Sequence, residues 1–146
     1  MEQVLSMIGL AKKAGRVEIG EEPVGAAARA KKARIILLAS DAGPSSARRA
    51  ASFATVGGCP LVPLGADKDA MGRCLGRTSV AMAAVTDVGF ADAIVKKLTV
   101  QDPSLVQVSE QLAAAADRAR ERRQEQARHD RKLHRGANSG RSRKKQ

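Results

Sequence analysis

Residues 15–30, GRVEIGEEPVGAAARA, combine the signals of a short strand, a sharp turn and the start of a helix. We predict the strand at residues 16–19, the turn at Gly20 and a helix that begins at Glu21. Glycine has no Cβ, so the backbone at Gly20 can turn sharply and lie close to a ligand. The first N–H groups of a helix have no acceptor within that helix and point at whatever lies beyond the turn. This junction is therefore the first candidate for a binding site.

The same residues also fit an ordinary helix start without a ligand. Glu21 and Glu22 favour the positive end of a helix, and Pro23 loses nothing in the first turn by having no N–H. The residues alone leave both interpretations open. A phosphate-binding loop is excluded, because Ala26 and Ala27 stand where the G-x-x-x-x-G motif requires Lys and then Ser or Thr.

Helix and strand signals alternate along residues 2–98 with short connections. The apolar run RIILLA at residues 34–39 is typical of a strand buried on both faces, and we expect it at the centre of the sheet. The other predicted elements are a helix at residues 2–14, a helix at 44–56, strands at 60–64 and 80–86, and helices capped by Asp67 and Asp87. This order predicts an α/β domain with helices on both faces of a four-stranded sheet.

Two segments allow sharper predictions. Two prolines in residues 60–64 indicate a strand that lies at an edge of the sheet or is very short, because proline has no N–H to donate. In the helix at residues 44–56, helical spacing predicts three inward alanines and two outward arginines. These are Ala47, Ala51 and Ala54, and Arg48 and Arg49.

The chain changes character at residue 102, so we divide it into a domain at residues 1–101 and a basic extension at 102–146. The extension is predicted to form a helix over about residues 103–130, with a disordered tail from Gly136. Its apolar residues recur at intervals of three and four, which indicates a seam along one face of the helix. The seam comprises Leu105, Val108, Leu112, Ala115 and Ala119.

Charge is concentrated in this extension. Residues 1–103 have a net charge of +4 and residues 104–146 a net charge of +7. Such asymmetry indicates a polyanionic partner, nucleic acid first and an anionic membrane surface second. Two Phe with no Tyr and no Trp provide few platforms for stacking bases, which argues against cold-shock and RNP-type recognition.

The remaining features predict neither secretion nor a cofactor. No signal peptide and no apolar run of membrane-spanning length occurs, so we expect a cytoplasmic protein without a membrane partner. Cys59 and Cys74 are expected to be buried small side chains, and no metal site or cofactor is predicted. His129 and His134 lie in the basic extension, where solvated side chains are expected.

Three segments together resemble a known family. SMIGLAKKAGRVEIGEEPV near the start, RIILLASDAG in the middle and AVTDVGFADAIVKKL near residue 98 resemble the bacterial YlxQ-like branch of the ribosomal-protein L-seven-Ae family. Members of that family bind kink-turn RNA. The resemblance covers about residues 1–98 and implies a three-layer α-β-α sandwich with a four-stranded mixed sheet.

The resemblance also implies where RNA binds. The turn at Gly20, Glu21 and Glu22 is expected to enter the groove of a sharply bent RNA, since carboxylates accept hydrogen bonds from the N–H donors of guanine. A second contact is expected from residues 77–81, with Arg77 near the RNA and Val80 packed against an unstacked base. This chain departs from the family pattern at Pro23 and Ala26, where many members have polar or cationic contact residues. Cations elsewhere are expected to supply phosphate contacts, either Arg29 and Lys31 further along the helix or Lys12, Lys13 and Arg16 near the turn.

The first hypothesis is therefore a non-catalytic RNA-binding protein of ribosomal or ribosome-associated type, monomeric in its globular part. Its partner is expected to be a structured RNA, ribosomal or another kink-turn RNA. The second hypothesis is a protein-interaction module of the same fold, in which Glu21 and Glu22 face a protein partner and the apolar seam packs on another chain or on the domain itself. An enzyme is disfavoured, because no catalytic set of Ser, His and acid and no complete cofactor motif is present.

Overall fold

The computed structural model describes the backbone of residues 1–145 and the side chains of residues 1–134. Helices and strands alternate through the domain as the sequence predicts. The elements are α1 Glu2–Lys13, β1 Val17–Ile19, α2 Glu21–Arg29, β2 Ile35–Leu38, α3 Pro44–Gly57, β3 Leu61–Pro63, α4 Lys68–Leu75, β4 Met82–Val85, α5 Val88–Gln101, a 3-10 turn at Pro103–Leu105, and α6 Val106–Lys145.

The four strands form one mixed sheet in the order β1-β4-β2-β3. Strand β4 pairs antiparallel with β1 and β2, and β2 pairs parallel with β3. The predicted central position of β2 is confirmed, because β2 has a hydrogen-bonded neighbour on each side. The proline-containing strand β3 lies at an edge, which confirms that prediction as well.

Helices cover both faces of this sheet. Strand β2 shows the division, because Ile35 and Leu37 belong to one apolar cluster and Ile36 belongs to the other. The first cluster includes residues of α1, α4 and α5, and the second includes residues of α2 and α3. The molecule is therefore a three-layer α-β-α sandwich, as predicted.

The residues of helix α3 that face the sheet differ from those predicted. Ala50 and Ala54 are buried, whereas Ala51 is exposed and Ala47 is half-buried. Two close contacts with α2 set this rotation. A Cβ at Gly25 would lie 2.9 Å from the Phe53 ring, and a Cβ at Gly57 would lie 3.2 Å from the Ala28 backbone. Arg48 and Arg49 are exposed, as predicted.

The start of the extension is packed against the domain. The 3-10 turn reverses the chain after α5, and Leu105 and Leu112 join the cluster that contains Leu98. Val108, Ala115 and Ala119, the other residues of the predicted seam, are half-buried. The seam is thus used within the chain, on α5.

Helix α6 does not end near residue 130, where the sequence predicted its end. Residues 118–134 consist mainly of Arg, Glu, Gln and Ala, which are strong helix formers without a breaker among them. The predicted disorder from Gly136 concerns residues whose side chains lie outside the described part, and it stays a prediction. Within the described residues, no helix has an apolar stretch long enough to cross a bilayer.

Strand direction determines which loops meet. Because β1 and β2 are both antiparallel to β4, strands β1, β2 and β3 run the same way. Their carboxyl ends therefore lie beside the amino end of β4. This end of the strands, called here the Gly20 end, contains Gly20, the loops after β2 and β3, and residues 77–81 before β4.

Candidate nucleic-acid interface

Gly20 forms the corner between β1 and α2. Its φ is +94° and its ψ is 167°, a conformation that side chains with a Cβ rarely adopt. The Gly20 N–H donates to the Met82 carbonyl at 3.2 Å, and the Gly20 carbonyl accepts from the Val24 N–H at 3.0 Å. Pro23 has no N–H, so helix geometry leaves the amides of Glu21 and Glu22 without acceptors within α2.

Glu21 is held within the protein. Its Oε1 accepts from the Ser46 hydroxyl at 3.2 Å, and its Oε2 forms an ion pair with Arg49. Both partners lie on α3, so the carboxylate connects the start of α2 to the neighbouring helix. The predicted contact to RNA from this side chain would compete with those two bonds.

Glu22 is directed differently. It is exposed, and among the described side chains none hydrogen-bonds to it. Gly20 and Glu21 are half-buried, and Pro23 is exposed beside Glu22. The corner thus presents one carboxylate and two backbone amides.

The loop at residues 77–81 lies at the same end, but its apolar residue points inward. Val80 is 4% exposed and belongs to the core, and its N–H donates to the Lys68 carbonyl at 3.0 Å. The predicted contact between Val80 and a base therefore has no exposed side chain to make it. Arg77, Thr78 and Ser79 are exposed there.

Gly72 on α4 holds this loop in place, and the sequence analysis did not identify it. A Cβ at Gly72 would lie 2.7 Å from the carbonyl oxygens of Arg77 and Thr78. Only glycine lets the loop lie this close to the helix. An isolated glycine inside a helical pattern is a recognised sign of close packing, so the signal was present in the sequence.

Hydrogen bonds connect the remaining loops of the Gly20 end. Asp41, after β2, accepts from the Lys68 N–H at 2.8 Å, and the Ser40 N–H donates to the Ala66 carbonyl at 2.9 Å. The loops after β2 and β3 are therefore fixed to each other at the start of α4. Neither Asp41 nor the pair of Ser46 and Arg49 was predicted to support the site.

The predicted cations are not all at this end. Arg29 lines a small cavity of about 250 Å³ together with Glu21, Glu22, Arg49 and Phe53. Arg16 lies at the start of β1, where its carbonyl accepts from the Thr86 N–H at 2.9 Å. Lys31 lies beyond the far end of α2, and its Nζ donates to the Val56 carbonyl. The structure thus separates Arg16 and Lys31 from the corner.

A larger cavity lies elsewhere among the described residues. It is a groove of about 850 Å³ between α1 and α4, lined by a mixture of aliphatic, small and cationic side chains, among them Leu5, Leu10, Lys12, Lys13 and Arg73. The Gly20 corner is not part of this groove.

The Gly20 end is not strongly basic. Its loops and first helical turns contain Lys68 and Arg77, and Arg29 and Arg49 reach the same corner from α2 and α3. Five carboxylates stand against these four cations. The carboxylates are Glu21, Glu22, Asp41, Asp67 and Asp69. The Asp67 carboxylate accepts from the Ala70 N–H and the Asp87 carboxylate at the other end of the sheet accepts from the Phe90 N–H, both as predicted helix caps.

Thiol and metal chemistry have little support here. Cys59 and Cys74 are free and half-buried, and burial raises the pKa of both thiols above the usual value. The neutral thiol therefore predominates at neutral pH. Among the described residues, no group of three or more His, Cys, Asp or Glu side chains is placed to hold a metal ion.

A mixed four-stranded sheet between two helical layers, with a glycine corner after its first strand, places the molecule among the α-β-α sandwiches. Residues 2–95 match the profile of the Ribosomal protein L7Ae/L30e/S12e/Gadd45 family, and the chain belongs to that family. The family resemblance found in the sequence is thereby confirmed.

Individual relatives agree with this assignment. The RNA-binding protein YlxQ of Bacillus subtilis (strain 168) is 29% identical over 92 residues, which are 63% of this chain and 91% of that protein. A solved structure of a protein with unknown function from Bacillus halodurans has a TM-score of 0.59 and 27% identity, covering 64% of this chain and 93% of that one.

A second solved structure extends the likeness of fold. The Giardia lamblia 15.5kD RNA binding protein has a TM-score of 0.55 and 17% identity, covering 69% of this chain and 85% of that one.

Proposed function

We propose that this protein is a non-catalytic RNA-binding protein of ribosomal or ribosome-associated type that binds a kink-turn or similarly bent RNA at the Gly20 corner. The observation that carries the proposal is the exposed Glu22 carboxylate beside the N–H groups of Glu21 and Glu22, which have no acceptor among the described residues. Membership of the family and the similarity to the RNA-binding protein YlxQ support it.

The two glutamates have different roles in this proposal. Glu22 accepts hydrogen bonds from guanine edges, because an ionised carboxylate is only an acceptor and guanine offers N–H donors. Glu21 positions α2 through Ser46 and Arg49. The cations of α6 add phosphate contacts that do not depend on sequence.

The alternative is a protein-interaction module with two contact surfaces. Its apolar seam was expected to pack on another chain or on the domain itself, and Leu105 and Leu112 are buried against α5, in the core of the domain. The corner remains for a protein partner. An RNA complex is distinguished from a protein complex by its sensitivity to nuclease and to high salt.

Replacement of Glu22 tests the proposal. The protein should bind a kink-turn RNA more tightly than the same RNA with its sheared G·A pairs changed to Watson–Crick pairs. In Glu22→Ala this preference should fall about tenfold or more, since one good pairing to a base edge contributes roughly 1–3 kcal/mol of discrimination. Affinities for both RNAs are measured by fluorescence anisotropy over a salt series, and the salt slope should stay the same.

Glu110→Ala is the matched control, because it removes the same side chain from an exposed position on α6. It should leave the preference unchanged. Equal affinity of the unmodified protein for both RNAs would contradict recognition of the bend and leave only a general basic binder.

A further inference from the structure

The packing of α6 on α5 determines where the basic part of α6 leaves the domain. Helix α5 has 14 residues and is about 21 Å long at the usual rise per residue. The packed stretch of α6, residues 106–119, follows the 3-10 turn, runs back along α5 and is also about 21 Å long. Residues 120–134 are all exposed, so the helix leaves the domain level with the first turn of α5.

That first turn lies at the ends of the strands opposite to the Gly20 end. It follows Thr86, whose N–H donates to the Arg16 carbonyl at 2.9 Å, at the start of β1. Arg34 is at the same end, because its N–H donates to the Val85 carbonyl at 2.8 Å. Gly20, in contrast, is hydrogen-bonded to Met82 at the other end of β4.

Exposed cationic side chains are concentrated at this opposite end of the strands. Arg16, Lys32 and Arg34 are exposed there, and residues 120–134 of α6 add six cations against three carboxylates. These side chains are called here the distal basic surface. Its α6 part comprises Arg120, Arg122, Arg123, Arg128, Arg131 and Lys132.

The distal basic surface acts on RNA that lies against it, because the field of its charges is screened before it reaches the corner. Arg16 and Gly20 are separated by four steps of extended chain, about 13 Å. Charges in physiological salt are screened over about 8 Å. The cations attract RNA only where the RNA comes close to them, and the Gly20 end has more carboxylates than cations.

The composition of residues 120–134 favours nucleic acid over other anionic partners. Ala127 and Leu133 are the only aliphatic residues in this stretch. The projecting helix therefore has no apolar face that would insert into a membrane or form a coiled coil. Arginine is well suited to phosphate oxygens, because its guanidinium offers paired donors.

We propose that the distal basic surface is a second RNA site, which binds the phosphate backbone of a separate RNA duplex. A single protein molecule then bridges a bent RNA at the Gly20 corner and a duplex at the opposite ends of the strands. The bridging activity rests on the proposed function, whereas duplex binding by the distal basic surface does not.

A capture assay with the full chain tests the bridge. Kink-turn RNA is fixed to beads, the protein is added, and a labelled straight RNA duplex without G·A pairs follows. The duplex should be retained only when protein is present, and retention should fall steeply between about 50 and 200 mM salt. Sedimentation velocity should give one protein molecule for each pair of RNA molecules.

Two variants separate charge from helix structure. Arg122→Gln, Arg123→Gln, Arg128→Gln and Arg131→Gln together should lower duplex capture at least tenfold while the protein stays bound to the bead RNA. The same four positions changed to Lys keep the charge and should keep most of the capture. Capture that is equal in the Gln and Lys variants would overturn the proposal, as would two protein molecules in each bridge.

Failure of the proposed function gives a different result. The protein would then not be retained on kink-turn RNA, whatever happens to the duplex. The affinity of the protein for the duplex alone, measured by fluorescence anisotropy, tests the distal basic surface separately. An affinity that the four Gln substitutions do not change would overturn this second site.

Discussion

Gly20 has a backbone conformation that other residues reach only with strain. Its φ of +94° and ψ of 167° lie in a region used almost only by glycine, and an added Cβ would meet nothing closer than the Pro23 Cδ at 3.9 Å. Any effect of a substitution here therefore comes from the backbone and not from a clash. The corner can exist in this sequence because glycine occupies it.

We expect Gly20→Ala to lower the free energy of unfolding by about 1–3 kcal/mol, the usual cost of a residue held in a sparsely populated region. Urea denaturation followed by circular dichroism measures the change. Gly43→Ala is the matched control, because Gly43 also precedes a helix but has a φ of −64° and open space around a Cβ. An equal loss in both variants would show that strain at the corner is not the cause.

The extension behaves as part of the domain up to Ala119. Leu112 is 6% exposed and packs in the core, whereas Leu133, on the same helix, is 60% exposed. Leu112→Ala should therefore lower the free energy of unfolding by about 2–5 kcal/mol, the range for a buried leucine. Leu133→Ala should change it by less than about 0.5 kcal/mol.

Thermal and urea unfolding of both variants provide the comparison. A small and equal effect at the two positions would mean that α6 does not pack on α5 in solution. The result also bears on how the chain is divided, because a truncation at residue 103 would remove Leu105 and Leu112 from the core.

The elements could be predicted from the sequence because their signals are local. Gly20 follows a short strand, Asp67 and Asp87 precede apolar periodic stretches, and each signal lies within a few residues of the feature it predicts. The two capping hydrogen bonds, to the N–H groups of Ala70 and Phe90, follow the expected geometry.

Features that depend on contacts between distant residues were not predicted. Ser46 and Arg49 bind Glu21 across 25 and 28 positions of the chain, and no spacing rule connects them. The rotation of α3 depends on the meeting of Phe53 with Gly25. Val80 was assigned to RNA through the family resemblance, but an apolar residue before a buried strand serves the core equally well.

At the scale of the molecule, α6 divides into a packed part and a projecting part with different stabilities. Amides of residues 109–119 should exchange hydrogen as slowly as those of α5, since both open only when the core opens. Amides of residues 122–134 should exchange much faster, because a helix of about 12–15 residues without tertiary contacts is marginal in water. Hydrogen exchange measured by mass spectrometry resolves the two segments.

Addition of a straight RNA duplex extends the measurement. Exchange in residues 122–134 should slow when the duplex is bound, because contact with phosphates favours the ordered helix. Equal protection of both segments in the free protein would contradict the division of α6.

The close approach of the loop before β4 to Gly72 has a consequence for recognition. The carbonyl oxygens of Arg77 and Thr78 lie only 2.7 Å from the position that a Cβ at Gly72 would occupy. A loop packed this closely on the helix has little freedom to lose when a ligand arrives. The conformational entropy of this loop is lost when the chain folds, so a nucleic acid that binds here meets a preorganised loop. A larger side chain at position 72 would displace the loop and weaken the binding of RNA, without altering any atom that the RNA contacts.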